Sequence, residues 1–213
     1  MPQRPLDKKE LQKREAVGVI HASRFIRKYA NSHKPIIIET ILEIHKEIFK
    51  DVWKEIAGKY RDEVLEITDS KHLPPHFSKV AELMKKADLD FRDKLKELEK
   101  VKGIIFAGDK PTEDIVDKID EVVMCASWIH HTITFIHPFR EGNGRTARLA
   151  GNLVLERYGL IGISIKIEKE NKNAYRQALA QIDTMGDYEP LKDIIYEGLI
   201  DRYNGVSLKY YKV

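Results

Sequence analysis

The sequence predicts a mainly α-helical domain carrying one small β-hairpin. Three observations lead there. Long segments repeat apolar residues every three or four positions, the period of a helix with one buried face. Short polar, proline or glycine stretches separate those segments. Only one stretch, residues 64–77, combines an apolar run too short for a helix with a polar turn and a Pro-Pro pair. At 213 residues the chain is expected to form a single domain, 1–213, with ample length for a core.

Residues 7–30 read as the first helix, the main part of an N-terminal unit at 1–34. Leu11, Val17 or Gly18, Ile20 or Ala22, and Phe25 recur at roughly helical spacing. Pro35 is suited to the first turn of a second helix at 36–49, where Ile37, Ile41, Ile44 and Ile48 share a stripe. Trp53, Ile56 and Ala57 extend the apolar pattern to a stop at Gly58. Val64, Leu65 and Ile67 then precede Thr68-Asp69-Ser70, and Pro74-Pro75 excludes helix, so the hairpin is expected between Val64 and Phe77. Residues 79–102 return to helix, with an expected break near Asp88, and 103–111 form a loop. Thr112 is a candidate N-cap for a long central helix at 114–136, apolar on much of its surface and ending just before His137. Helices at 145–158, 171–184 and 190–203 complete the domain.

Composition narrows the class. The chain is 42% hydrophobic and 33% charged, with a net charge of +3. Its Lys and Arg residues are mixed with Asp and Glu along helix faces, so no nucleic-acid partner is expected. Cys125 is the single cysteine, which excludes an internal disulfide; set in an apolar run, it reads as a core residue. Residues 8–15 are charged where a secretory signal needs an apolar run, and no uncharged run reaches membrane-spanning length. A cytoplasmic protein with no membrane partner is the expectation.

The chemistry concentrates in His137-Pro138-Phe139-Arg140-Glu141-Gly142-Asn143-Gly144-Arg145-Thr146-Ala147-Arg148. Gly142, Asn143 and Gly144 thin out side chains where a helix begins, so backbone N–H groups can approach an anion. Arg145 and Arg148 are three apart and share a face near that N-terminus, where cations oppose the helix dipole and an anion would offset the cost. Glu141 is a lone carboxylate of the kind that holds Mg²⁺ together with phosphate oxygens and waters. His137 can accept a hydroxyl proton near neutral pH. Each feature alone is more often a turn, a surface charge or a structural histidine. In this order they are the parts for transfer from a nucleoside triphosphate. His130 and His131 read as packing or surface residues, and the histidine spacing lacks a helical zinc pattern.

The arrangement resembles the Fic family, whose signature is His-x-Phe-x-Asp/Glu-Gly-Asn-Gly-Arg-x-x-Arg; every specified position is filled between His137 and Arg148. The likeness runs over a Fic core at 41–199. Ala57-Gly58-Lys59-Tyr60-Arg61 resembles the segment before the family's flap, and Tyr175, Ala178-Leu179 and Tyr188-Glu189-Pro190-Leu191 resemble its C-terminal helices. The resemblance implies a helical fold and transfer of AMP from ATP, with Mg²⁺, to a Ser, Thr or Tyr hydroxyl of a target protein, self-modification included. His137 would be the base and Glu141 the metal ligand. Gly142, Asn143 and Gly144 would cradle phosphates, with Arg145 on the β-phosphate side and Arg148 at the γ-phosphate. Val64, Leu65, Glu66 and Ile67 would be the flap that docks the target as an added strand. An antitoxin partner or self-association also falls within the family's range. Other transfers at the same site, AMP removal, and a non-catalytic nucleotide-binding module are the alternatives. One kinase-like branch has Ala and Lys where this chain has Gly142 and Gly144. Many members carry an inhibitory Ser/Thr-x-x-x-Glu-Gly/Asn helix whose glutamate occupies the second arginine. Ser78 with Glu82 and Ser164 with Glu168 come nearest here, and both lack the final residue. The expectation is therefore a free Arg148 and a chain active without an activating mutation.

Overall fold

The computed structural model describes residues 7–32, 34–67, 70, 72–101, 112–165 and 171–210. Seven α-helices are formed among them: α1 (Lys8–Ala30), α2 (Ile38–Phe49), α3 (Phe77–Leu98), α4 (Glu113–Ile136), α5 (Asn143–Arg157), α6 (Asn171–Met185) and α7 (Glu189–Tyr210). A single 3₁₀ turn, Glu99–Val101, extends α3. The loop expected at 103–111 lies outside the described residues.

α4 and α5 form the centre, and the loop 137–142 joins them. Val122, Val123, Ala126, Ile129 and Ile133 of α4 are fully buried, as its apolar sequence requires. α1 lies across α2 and α5, α3 lies on α4, and α6 pairs with α7. Thr112 caps α4 by accepting from Ile115 N, and Asp7 caps α1 by accepting from Lys9 N and Glu10 N.

The buried stripe of α1 runs Leu11, Glu15, Ala22 and Ile26, with Gly18 between; Val17 and Ile20 face outward. Gly18 is there for contact: a Cβ would stand 2.0 Å from the Ile48 carbonyl oxygen, so only glycine lets α1 and α2 approach this closely. α2 begins at Ile38, three residues past Pro35. Its start is fixed by Thr40 Oγ1 accepting from Ile37 N at 3.2 Å and Asp88 Oδ1 accepting from Ile38 N at 2.8 Å. The helix break expected at Asp88 is accordingly absent. That carboxylate is buried because it caps a neighbouring helix, and α3 runs through it unbroken.

The hairpin expected at 64–77 is not formed among the described residues, and Phe77 already opens α3. The segment entering it forms no helix or strand, with Val64 and Glu66 exposed and Leu65 and Ile67 half-buried. Arg61 bridges the two ends of the stretch instead. Nη1 donates to Glu63 O at 2.8 Å and Nη2 donates to Pro75 O. Pro74 and Pro75 also lack the N–H groups that a ladder needs.

Candidate active site

α4 ends by placing His137 in the left-handed region (φ 51°, ψ 55°), a conformation that costs a non-glycine residue about 1–2 kcal/mol. Surrounding contacts hold it there. His137 N donates to Ile133 O at 3.0 Å, and Arg61 Nε donates to His137 O at 2.8 Å. Arg61 N donates to Pro138 O at 2.9 Å, so one buried arginine ties the 61–75 segment to the start of the motif. On the imidazole, Nδ1 lies 3.2 Å from Thr134 O. A carbonyl can only accept, so Nδ1 carries the proton and Nε2 keeps its lone pair. Burial holds the His137 pKa below its ordinary value, opposed by the Thr134 carbonyl and assisted by nearby Arg61. The side chain is therefore a neutral, oriented base at physiological pH.

The loop after His137 is closed from inside. Phe139 is fully buried, and Asn143 Oδ1 accepts from Phe139 N at 2.8 Å while Nδ2 donates to Phe139 O at 2.7 Å. The Asn143 side chain is thus spent on shaping the loop, which leaves its backbone N–H as the group that could meet a phosphate. Gly142 has φ 80° and no room for a side chain, since a Cβ would lie 2.4 Å from the Phe49 ring. α5 starts there without a side-chain cap. Gly144 and His137 line a cavity of about 570 Å³ between α4, α6 and the residues Ile67, Ser70 and His72, within the size range of small-molecule sites. His72, His131, Tyr175 and Asp183 are also in its wall.

The two motif arginines have separate fates. Arg148 is half-buried and lies beside Tyr175, whose hydroxyl is 2.7 Å from His130 Nε2. Burial pushes the His130 pKa down to about 3, so it stays neutral and able to accept. Arg145 is gripped by two carboxylates: Nη1 to Glu15 Oε2 of α1 at 2.6 Å, and Nη2 to Glu141 Oε1 at 3.1 Å. Its guanidinium also sits over the Phe49 ring at 5.3 Å. Glu15 Oε1 is buried without a hydrogen-bond partner.

Glu141 Oε1 also accepts from Gly142 N at 3.0 Å. Its side chain is 34% exposed, and no cluster of three or more metal-ligating side chains exists among the described residues. A lone, half-exposed carboxylate beside an anion-binding helix start fits Mg²⁺, an ion that keeps most of its waters. It does not fit a dedicated protein cage.

Sequence reasoning singled out Arg61 only as part of the segment before the flap, and missed Glu15, Tyr175 as a neighbour of Arg148, and His45. Glu15 left a visible signal, a carboxylate inside the apolar 11–15–18–22–26 stripe. Tyr175 left none, because its contact depends on how α6 folds back.

An oriented, neutral histidine beside an uncapped glycine-led helix start, on a helical scaffold, is an arrangement that could hold an anion next to a proton acceptor. The Fic/DOC family profile matches residues 35–155, over half the chain. The chain belongs to the Fic/DOC family. It is 29% identical over 181 residues to the protein adenylyltransferase Fic of Nematostella vectensis, covering 84% of this chain and 36% of that protein. It is 26% identical over 197 residues to the protein adenylyltransferase fic-1 of Caenorhabditis elegans, covering 90% and 34%. The chain thus spans about a third of the length of the curated relatives it matches. Among solved structures, Fic-1 from C. elegans superposes with a TM-score of 0.66 at 24% identity, over 98% of this chain and 55% of that one. BepC of Bartonella tribocorum, solved with bound AMPPNP, gives 0.61 at 17% identity, over 90% and 87%. These likenesses show a shared fold.

Proposed function

We propose that the chain is a protein adenylyltransferase, moving AMP from ATP to a hydroxyl of a protein, itself included. The observation that carries this is His137. Its Nδ1 proton is engaged by Thr134 O, its Nε2 is left as an acceptor, and it lines the same cavity as Gly144. In the proposed step, His137 Nε2 takes the proton of the target hydroxyl as that oxygen attacks the α-phosphorus. A new O–P bond forms, the bond to the β-phosphate oxygen breaks, and pyrophosphate leaves. Backbone N–H groups at the start of α5 offset the charge that develops on the phosphate oxygens. Glu141 would hold Mg²⁺, which supplies further charge neutralisation when bound.

Arg145 and Arg148 would bind the outer phosphates, and Arg145 must first leave Glu15. Glu15 is then a built-in competitor for the nucleotide. Val64 and Glu66 are exposed and Leu65 and Ile67 half-buried, outside any helix, which supports docking of a target segment along them. The single cysteine, buried with its thiol pushed up to about 12, suits a reducing cytoplasm. No helix among the described residues is long and apolar enough to cross a membrane.

ATP labelled at the α- or γ-phosphate tests the reading. Protein label from the α-position alone is expected. Label from the γ-position would make the chain a kinase, and nucleotide binding without transfer would make it a module.

A further inference from the structure

α2 presents His45 and Phe49, one turn apart, to the underside of the 137–142 loop. His45 is fully buried, yet both of its ring nitrogens are used. Gly58 N donates to Nδ1 at 2.9 Å, and Nε2 lies 3.0 Å from Glu141 O. An N–H can only donate and a carbonyl can only accept, so the tautomer follows: Nδ1 is bare and Nε2 carries the proton. The ring plane is fixed as well. It stacks on Phe139 at 3.9 Å and 6°, with Phe49 tilted against it at 4.7 Å.

We propose that His45 is a positioning residue that clamps the Glu141–Gly142 peptide and so sets both the carboxylate and the phosphate-binding start of α5. The carbonyl of Glu141 and the N–H of Gly142 belong to one rigid peptide plane. His45 holds the carbonyl end, and Glu141 Oε1 accepts from the N–H end at 3.0 Å. Rotation of that plane breaks both contacts together, swings the Gly142 N–H off the carboxylate and turns the backbone that opens α5. Arg145 depends on the same carboxylate oxygen, at 3.1 Å, so its guanidinium shifts with the plane. His45 also bonds the 58 turn, which leads into Arg61 and the proposed flap segment. One neutral imidazole thus joins α2, the flap base and the motif loop. Fully buried, it acts on the reaction only through Glu141.

This role rests on Glu141 and the start of α5 being the nucleotide site; the tautomer does not. Two substitutions divide the two hydrogen bonds. His45→Asn keeps an acceptor for Gly58 N and loses the donor to Glu141 O. His45→Gln can keep the donor and lose the acceptor. Each leaves one buried group unpaired, so their melting temperatures should fall together. ATP affinity in Mg²⁺ by calorimetry, and kcat for transfer, should separate them. His45→Asn should weaken both, with kcat down about 100-fold, the scale of an ångström misplacement. His45→Gln should stay within about tenfold of the parent. Equal losses in the two, or losses that track melting temperature, overturn the clamp. If neither variant folds, long-range proton–nitrogen spectra of the parent decide: a bare Nδ1 and protonated Nε2 support it, and the opposite tautomer overturns it. Glu141→Gln with unchanged Mg²⁺-ATP binding would sink the nucleotide-site reading, while the spectra still report on the tautomer.

Discussion

Replacing Glu15 by Gln should make the protein a faster enzyme and a less stable one. In the resting structure Glu15 Oε2 holds Arg145 Nη1 at 2.6 Å, with the two side chains 11% and 22% exposed. At that exposure the contact behaves as a charge-assisted hydrogen bond, roughly 1.5–3 kcal/mol. A triphosphate that needs Arg145 must displace the carboxylate and bear that cost. Removing the charge returns most of it, which corresponds to about a tenfold to hundredfold gain in apparent ATP affinity. Gln keeps the length of the side chain and can make one neutral bond, so the lower half of that range is expected. Stability moves the other way by about 1–2 kcal/mol, because Arg145 loses one of its two carboxylates while Glu141 remains. The assay is the initial rate of label incorporation from α-labelled ATP at limiting concentration, run beside thermal melting. Opposite changes in rate and melting temperature are predicted. A rate that stays level or falls while the melting temperature drops would make Glu15 a purely structural partner of Arg145.

Glu141→Gln keeps shape but removes the charge, so transfer should need more Mg²⁺; an unchanged titration would leave Glu141 as a loop acid. Tyr175→Phe removes the acceptor that faces Arg148 and should weaken transfer by roughly tenfold to a hundredfold, with a smaller loss for AMP binding than for ATP binding. Equal losses for AMP and ATP would count against a γ-phosphate role for Arg148. Acid should destabilise the fold between about pH 6.5 and pH 4. Burial holds His45 down to about 4 and His130 to about 3, so the unfolded chain binds protons there that the folded chain does not. Each should remove roughly 1 kcal/mol per pH unit as pH falls, and denaturant melts at several pH values would read the slope.

The motif was legible because its chemistry is local: His137 to Arg148 fixes a loop, a helix start and two cations within one stretch. The helices were legible wherever an apolar stripe ran unbroken, as in α2 and α4. Three misreadings share a cause. Asp88 looked like a helix breaker because its partner, Ile38 N, is fifty positions away in sequence. The 64–77 hairpin looked sound because nothing local revealed that Arg61 would take the carbonyls of Glu63 and Pro75. Glu15 stands outside any inhibitory motif of the Ser/Thr-x-x-x-Glu-Gly/Asn kind, since Leu11 and Ala16 occupy the flanking positions. Its burial against Arg145 is a fact of packing. The pairing of the Asn143 amide with the backbone of Phe139 from both sides was not legible either, because it depends on how the loop closes on itself.

The central claim is AMP transfer with His137 as the base. Its most direct test is intact mass of the protein after incubation with ATP and Mg²⁺, comparing the parent and Glu15→Gln chains with a His137→Ala version of each. Addition of one or more AMP groups is predicted for the chains that keep His137, strongest in Glu15→Gln. The His137→Ala versions should modify about two to four orders of magnitude more slowly, with nucleotide binding retained. Near-parental modification without His137, or no added mass in Glu15→Gln, would contradict the account.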